Sequence, residues 1–337
     1  MPRKIEISHR TIIFTIFFLL FLWLLFLLRG VLLLVFLGII LMSALNPLVD
    51  RLARWKIPRV LSIILIYLLI LAIVGFAIAG IIPPLVTQTQ VLISRFPSYI
   101  ENLKLFKIDE QIINSQLSQI LDKLGTISGG VFRTFISFFQ SLFNIIILLV
   151  ISFYLLLERK NLSKYLLRFF GPEGETMGLK IFDQIEKRLG GWVRAEILLM
   201  ITIGLLCYIG LRLIGIDLAL PLAIFAGLME IIPNVGPIVS AIPAVLAGLI
   251  ISPLAALAVA ALFFLVHQFE NNLIVPQIMS KEVGINPLIT IIALISGFTL
   301  GGVIGGVLAV PVVLLLEIIF TEIATSERFK NLDHKKT

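Results

Sequence analysis

The stretch that decides the fold is Glu230-Ile231-Ile232-Pro233-Asn234-Val235-Gly236-Pro237, which interrupts a long apolar part of the chain. Apolar runs at 218–232 and 238–252 flank the break, and each is about 22 Å long as a helix. A membrane span needs about 20 residues to cross about 30 Å of hydrocarbon. Two short apolar halves around a proline and glycine break therefore predict a re-entrant helical hairpin with its tip at membrane depth.

A second broken pair follows, in which Gly301 and Gly302 separate the apolar runs 288–300 and 303–320. One full crossing, 254–274, joins the two pairs. Hairpins that enter from opposite faces would place both tips near the membrane midplane. The alternative is that both breaks are kinks in tilted spans, because glycine and proline are common in membrane helices.

The composition is that of an integral membrane protein. Of 337 residues, 59% are hydrophobic and 14% are charged, against about 25% charged in soluble domains. The mean hydropathy is +1.10. One cysteine, Cys207, excludes an internal disulfide, and three scattered histidines predict no metal site. The net charge of +7 fits basic cytoplasmic loops rather than nucleic-acid binding.

Five further spans are predicted upstream of the first break, at 11–28, 31–45, 60–82, 131–157 and 195–214. Only Arg29 and Gly30 separate the first two, which leaves a tight hairpin or a kink in one helix. A single straight helix would be about 52 Å long, so we favour the hairpin. The first run lacks a cleavage site and predicts a retained span rather than a signal peptide.

The distribution of basic residues among the loops predicts how the chain is oriented in the membrane. The loops 50–59 and 159–194 are strongly basic, and the stretch 85–130 is charge-balanced. Under the positive-inside rule, the basic loops and both termini are cytoplasmic, as in a multi-pass protein of a bacterial-type inner membrane.

The predicted fold class is therefore an all-α, polytopic membrane protein with two re-entrant hairpins in its C-terminal half. Residues 1–59 form an N-terminal hairpin and a basic loop, and residues 60–157 form two spans around an amphipathic outer helical segment at 85–130. A basic cytoplasmic segment follows at 158–194. Residues 195–322 form a transport region with breaks at 233–237 and 297–302, and residues 323–337 form a cytoplasmic tail.

The first candidate binding residues lie at the first break. Glu230 stands inside an apolar run, where a carboxylate costs about 2.5–3.5 kcal/mol on insertion scales. It predicts a contact to substrate or cation, or a proton site; the alternative is a helix cap near the interface. Asn234 either binds a ligand or satisfies backbone groups freed at the break. Pro233, Gly236 and Pro237 complete this candidate pathway.

The second candidate group is a polar cluster late in an apolar helix. Glu270 and Asn271 follow His267 by three and four residues, so the three share a helix face, and Asn272 lies one step round. This predicts a pathway lining; a hydrogen-bond network at an interfacial helix end is the alternative. At the second break we expect Thr299 to contact solute. Gly297, Gly301 and Gly302 are the candidate hinge, although small residues also serve close helix packing.

Enzyme signatures are missing from the sequence: there is no H-E-x-x-H, G-x-S-x-G, P-loop or dinucleotide fingerprint. We therefore expect neither catalysis nor a cofactor, and no direct drive by ATP within this chain.

Several blocks together resemble the autoinducer-2 exporter family of predicted permeases. The blocks are Glu230–Pro237 continued by Ala241-Ile242-Pro243-Ala244, Glu270–Met279, Val283-Gly284-Ile285-Asn286-Pro287-Leu288, Leu308-Ala309-Val310-Pro311 and Asn46-Pro47-Leu48-Val49-Asp50. The resemblance spans essentially the whole chain. It implies a secondary transporter with two hairpins, an elevator-like movement and assembly as a homopentamer.

The leading hypothesis is a secondary transporter that exports a small polar solute, such as autoinducer-2 or a related molecule. The first alternative is a sodium/proton antiporter in which Glu230 or Glu270 titrates. The second is a membrane scaffold without transport. The expected partners are the lipid bilayer, a small polar solute, a proton or sodium ion for coupling, and further copies of the chain; no nucleic acid is expected.

Overall fold

The structure is a computed structural model that describes residues 9–103, 142–233, 235–282 and 286–325. Every regular element in these ranges is helical. The elements are α1 (His9–Leu27), α2 (Arg29–Arg54), α3 (Arg59–Leu103), α4 (Leu142–Glu158), a short 3₁₀ turn (Arg159–Asn161), α5 (Leu162–Ile214), α6 (Ala219–Met229), α7 (Val235–Ile251), α8 (Pro253–Phe269), a π-helical turn (Glu270–Ile274), α9 (Val275–Glu282) and α10 (Pro287–Thr325).

Six of these helical segments are long and apolar enough to cross a membrane. They are Arg10–Leu27, Arg29–Arg54, Arg59–Ile81, Gly174–Ile214, Pro253–Ile278 and Leu288–Glu322. The shorter apolar helices α6 and α7 flank the first break. The prediction of an all-α polytopic membrane protein is confirmed.

Both predicted breaks interrupt helices. Between α6 and α7, residues 230–233 form turns and a bend, and the two helices pack against each other. Within α10, Gly302 leaves the helical conformation with φ 59° and ψ −143°. A side-chain carbon on Gly297 would collide with the Gly305 carbonyl. In a straight helix those residues would be about 12 Å apart, so α10 folds back on itself.

The second break is thus a helical hairpin rather than a kink. Whether either hairpin is re-entrant depends on its depth in a membrane, and that stays a prediction. The outer stretch 85–130 is described only as far as Leu103, where α3 ends after passing through Pro83 and Pro84. The rest of that stretch, with its apolar stripe, lies outside the described residues.

The junction of α1 and α2 differs from the hairpin favoured by the sequence. Leu28 N–H donates to the Leu24 carbonyl at 2.9 Å, and Leu32 N–H donates to the Leu28 carbonyl at 2.9 Å. Helical bonds therefore continue through a single perturbed residue, Leu28, with φ −83° and ψ 3°. The backbone runs on as one kinked helix, because reversing its direction requires several non-helical residues.

The buried side chains form three clusters. One joins α2, α3 and α4 around Met42, Ile63 and Leu156. A second joins α2, α5 and α10 around Leu189 and Leu314. The third and largest packs α5, α6, α7 and α8 together, from Leu199 to Ile274. This third cluster surrounds the candidate site.

Local caps fix where the helices of this third cluster begin and end. Gly215 ends α5 in the left-handed conformation, with φ 87°. Its N–H donates to the Arg212 carbonyl at 3.1 Å, and Ile216 N–H donates to the Leu211 carbonyl at 3.0 Å, the glycine-ended C-cap pattern. Ser252 begins α8 by accepting from Ala255 N–H at 3.0 Å, ahead of Pro253.

A polar network ties α2, α3, α4 and α5 together at one end of the bundle. Arg59 donates to Asp50 at 2.6 Å and to Asn46 at 2.6 Å. Asn46 and Arg159 both donate to Glu186, each at 2.5 Å. Burial of Arg159 disfavours its charge, but the hydrogen bond and charge of Glu186 and the nearby Asp183 outweigh it and raise the pKa of Arg159. The guanidinium therefore keeps the network charged.

Candidate functional site

Three carboxyl side chains meet in the interior between α5, α6 and α8. Glu196 is 5% exposed, Glu230 is 2% exposed and Glu270 is 3% exposed. Glu230 interacts electrostatically with Glu270 and Glu196, and Glu196 interacts with Glu270 as well. We call these three residues the carboxyl cluster. It is the densest group of buried charge-bearing side chains in the described part of the chain.

The close crossing of α5 and α6 explains why Glu196 and Glu230 meet. A side-chain carbon on Gly227 would lie 2.5 Å from the Met200 carbonyl, and one on Gly204 would lie 3.2 Å from the Ala223 carbonyl. These pairs define an antiparallel register between the two helices. Because the register continues beyond Gly227, Glu230 comes level with Glu196.

Glu270 belongs to a different part of the backbone from Glu196 and Glu230. It is the first residue of the π-helical turn that follows α8. A π-turn inserts one residue into the helical repeat and redirects the side chains around it, and such turns occur frequently at functional sites. In this turn Glu270 and Ile274 are buried, whereas Asn271 and Asn272 are exposed.

The cluster is only partly satisfied by hydrogen bonds. Glu196 Oε1 and Glu230 Oε2 are buried without a hydrogen-bond partner among the described residues. Glu270 Oε2 lies 3.4 Å from His267 Nδ1. A buried polar atom without a partner costs about 1–3 kcal/mol. Sites that retain such a cost are candidates for binding or catalysis.

The closeness of the three buried carboxyl groups has a chemical consequence. An ionised carboxylate only accepts hydrogen bonds, so two carboxyl groups can bond only if one of them carries a proton. Three like charges in a low-dielectric interior also repel strongly. The arrangement can therefore hold and release a proton, or exchange it for a cation that neutralises the same oxygens.

The described residues do not form a multidentate metal centre. In the ranges 9–103, 142–233, 235–282 and 286–325, no three His, Cys, Asp or Glu side chains converge closely enough to hold a metal ion together. A monovalent cation at the cluster would need backbone carbonyls or water beside the carboxyl oxygens.

The other residues predicted at the first break shape the backbone. Val235 N–H donates to the Pro233 carbonyl at 2.8 Å, and Gly236 N–H donates to the Ile232 carbonyl at 2.8 Å. A side-chain carbon on Gly236 would collide with the Met229 carbonyl. Gly236 and Pro237 are buried at the start of α7. Asn234 lies outside the described residues.

The polar residues predicted on α8 divide between two environments. Asn271 Nδ2 lies 3.1 Å from His267 Nε2. Asn272 donates to the Gln268 carbonyl at 2.8 Å within its own helical segment. The expected common face of His267, Glu270 and Asn271 is therefore present, and it leads from the exposed flank of the helix to the buried carboxyl cluster.

The predicted residues of the second break lie apart from the cluster. Thr299 is exposed and donates to the Ile295 carbonyl at 2.7 Å. Gly301 is exposed, and Gly302 supplies the positive φ of the turn. Gly297 packs against Gly305 and Ala309 across the hairpin. The second arm of this hairpin packs on α5 around Leu189.

Sequence reasoning missed Glu196. It lies next to Arg194 at the start of the predicted fifth span, where a charge is ordinary at a helix end. The helical spacing of Glu196 relative to apolar residues could have identified it. One stripe of the helix carries five buried residues, which are Leu189, Glu196, Leu199, Ile203 and Cys207. A carboxyl group on an otherwise apolar buried stripe predicts an interior partner.

Comparison with known proteins identifies the family. The model of the family described as AI-2E family transporter matches residues 12–325. The chain belongs to this family. It is accordingly a multi-pass membrane protein of a family of transporters.

Three relatives illustrate the range of the AI-2E family. The "Putative transport protein YueF" of Bacillus subtilis is 30% identical over 296 residues, which cover 82% of this chain and 80% of the relative. The "AI-2 transport protein TqsA" of Escherichia coli is 24% identical, with 83% and 82% covered. A "Sodium-lithium/proton antiporter" of Halobacillus andaensis is 24% identical, with 78% and 82% covered.

Proposed function

We propose that this AI-2E family member is a proton-coupled secondary transporter that exchanges protons for a monovalent cation at the carboxyl cluster. The observation that carries the proposal is the burial of Glu196, Glu230 and Glu270 beside one another, with Glu196 Oε1 and Glu230 Oε2 left without a hydrogen-bond partner among the described residues. Carboxyl groups that are buried together favour binding a proton over carrying like charges, and losing that proton leaves a negative site that a cation can neutralise. The antiporter name of one relative supports the same chemistry.

Each carboxyl group has a distinct part in the proposal. Glu230 and Glu270 hold the proton between them. Glu196 adds a further carboxyl oxygen, which has no partner in the described residues and is available to the cation. Proton and cation compete for the same oxygens, and this competition couples the two flows without any covalent step.

Export of a small polar solute is the second candidate. The name of the relative TqsA supports autoinducer-2 as such a solute. In this version the carboxyl cluster supplies the coupling proton, and Asn271, Asn272 and Thr299 contact the solute. An elevator-like movement, cytoplasmic termini in an inner membrane and a homopentameric assembly belong to both versions of the proposal.

Proton flux in proteoliposomes tests the proposal. Purified protein is reconstituted with a pH dye inside, a pH gradient is imposed, and NaCl, LiCl or KCl is added outside. After Na⁺ or Li⁺ is added, the lumen pH of vesicles with the wild-type protein should change by more than that of empty liposomes. The variants Glu230→Gln, Glu270→Gln and Glu196→Gln should lose most of this response, because an amide cannot exchange a proton for a cation.

Glu317→Gln is the matched control, since Glu317 pairs with Arg188 at 3.0 Å outside the cluster. It should keep the wild-type rate. Labelled autoinducer-2 in the same vesicles separates the two candidates: solute efflux driven by the pH gradient, without a cation response, favours the exporter. Full proton flux in the double variant Glu230→Gln, Glu270→Gln would contradict both versions.

A further inference from the structure

His267 lies at the boundary between the carboxyl cluster and the outside of the bundle. Its side chain is 25% exposed, while that of Glu270, one helical turn later, is 4% exposed. The two ring nitrogens face different partners: Nδ1 lies 3.4 Å from Glu270 Oε2, and Nε2 lies 3.1 Å from Asn271 Nδ2. The exposed Asn271 thus connects through the ring to a buried carboxyl group.

We propose that His267 is the proton-transfer residue that connects the carboxyl cluster with the polar flank of α8, where Gln268, Asn271 and Asn272 are exposed. The proposal rests on the proposed proton coupling and adds the route by which the proton enters and leaves. A buried carboxyl group exchanges protons with water only through a group that reaches both. In the described part of the chain, His267 contacts Glu270 of the cluster from a partly exposed position.

The hydrogen bonds set the starting tautomer. Asn271 Nδ2 can only donate, so Nε2 accepts and Nδ1 carries the ring proton. Nδ1–H then points at Glu270 Oε2. The ring is neutral in this state, and its two nitrogens allow it to accept a proton on one side while it donates one on the other.

The transfer balances with one proton in and one proton out. The Nδ1–H bond breaks and an O–H bond forms on Glu270, while a proton from water forms a new N–H bond at Nε2. The Asn271 amide rotates so that its oxygen accepts from this new N–H. The net change is one proton moved from water to Glu270, and the reverse sequence releases it. No oxidant or further reactant is required.

The titratable surroundings of His267 belong to the cluster itself. On its own segment its ring lies beside Glu270, and Glu230 at the first break interacts with that same carboxyl group. From α5, Glu196 and Cys207 interact with the same carboxyl groups, and Tyr208 packs against the surrounding core. The sequence of α7 contains no titratable residue.

The experiment measures the exchange rate of His267→Gln against wild type from pH 5.5 to 8.5 in the same proteoliposomes. We expect a loss of about tenfold or more, since a positioned acid–base group contributes about 10²–10⁴-fold. The cation concentration that gives half-maximal rate should stay the same. Added imidazole should restore the rate, and a bulky buffer of similar pKa should not. Gln268→Asn, an exposed change one residue away, is the matched control and should behave as wild type.

A second variant keeps the test independent of folding. Asn271→Leu preserves the imidazole but removes the group that fixes its tautomer, so it should alter the pH profile with a smaller loss of rate. A wild-type rate and pH profile in His267→Gln would overturn the proposal. So would a loss that is equal at all pH values and unaffected by imidazole, because that marks a structural role. If wild type itself moves no protons, the proposed function fails first.

Discussion

Replacing Glu230 by methionine should stabilise the protein while abolishing transport. Methionine has a similar length and fills the same buried space with a flexible apolar chain. Glu230 Oε2 has no hydrogen-bond partner in the described residues, and the substitution removes this atom. Glu270 does not lose its other partner, because His267 Nδ1 remains 3.4 Å away.

The magnitude follows from that unpartnered oxygen. A buried polar atom without a partner costs about 1–3 kcal/mol, and Glu230 is 2% exposed. The repulsion between the members of the carboxyl cluster falls as well. We therefore expect Glu230→Met to raise the free energy of unfolding by about 1–3 kcal/mol. A functional site that stores a structural cost typically shows this exchange of stability against activity.

Thermal unfolding of detergent-solubilised protein, followed by tryptophan fluorescence, measures the change. Proton flux in proteoliposomes is measured on the same preparations. Glu230→Gln provides a comparison, because it removes the titrating group but keeps a polar oxygen in the site, and should gain less stability. A melting temperature at or below that of wild type would refute the reasoning, as would retained proton flux in Glu230→Met.

Two further predictions concern glycines of the backbone, each with a matched control variant. Gly302→Ala should destabilise the protein by about 1–2 kcal/mol, because Gly302 has φ 59°, whereas Gly301→Ala should be tolerated; melting temperatures in detergent distinguish them. Gly227→Ala should cost about 1–3 kcal/mol and impair proton flux, since the added carbon strikes the backbone of α5. Gly80→Ala, with open space around it, should leave both properties unchanged, and an equal effect in the two variants would contradict the proposed packing.

Some features of this protein were determined by the sequence alone, because local chemistry decides them. The apolar runs are long enough to span a bilayer regardless of their neighbours, and proline and glycine interrupt helices wherever they meet suitable torsions. Helix interruptions near both predicted positions, and the helical spacing of His267, Glu270 and Asn271, follow from this local chemistry, whereas the re-entrant character of the broken pairs stays a prediction. The family also followed from local blocks of sequence.

Other features depended on the tertiary structure. Arg29 and Gly30 are compatible with a hairpin or a continuous helix, and the continuous helix formed because nothing in the two residues forces the chain to turn. Thr299 was expected beside a bound solute, but it lies on a hairpin that packs elsewhere on α5, and its contact with solute stays a prediction.

The carboxyl cluster itself is the clearest case of tertiary control. Glu230 was predicted from its place in an apolar run, but its partners are distant in sequence. Glu196 meets it because small residues let α5 and α6 cross closely in one antiparallel register. Glu270 joins them because a π-turn redirects its side chain. Sequence places a carboxyl group in an apolar run, and only packing decides which other carboxyl groups lie beside it.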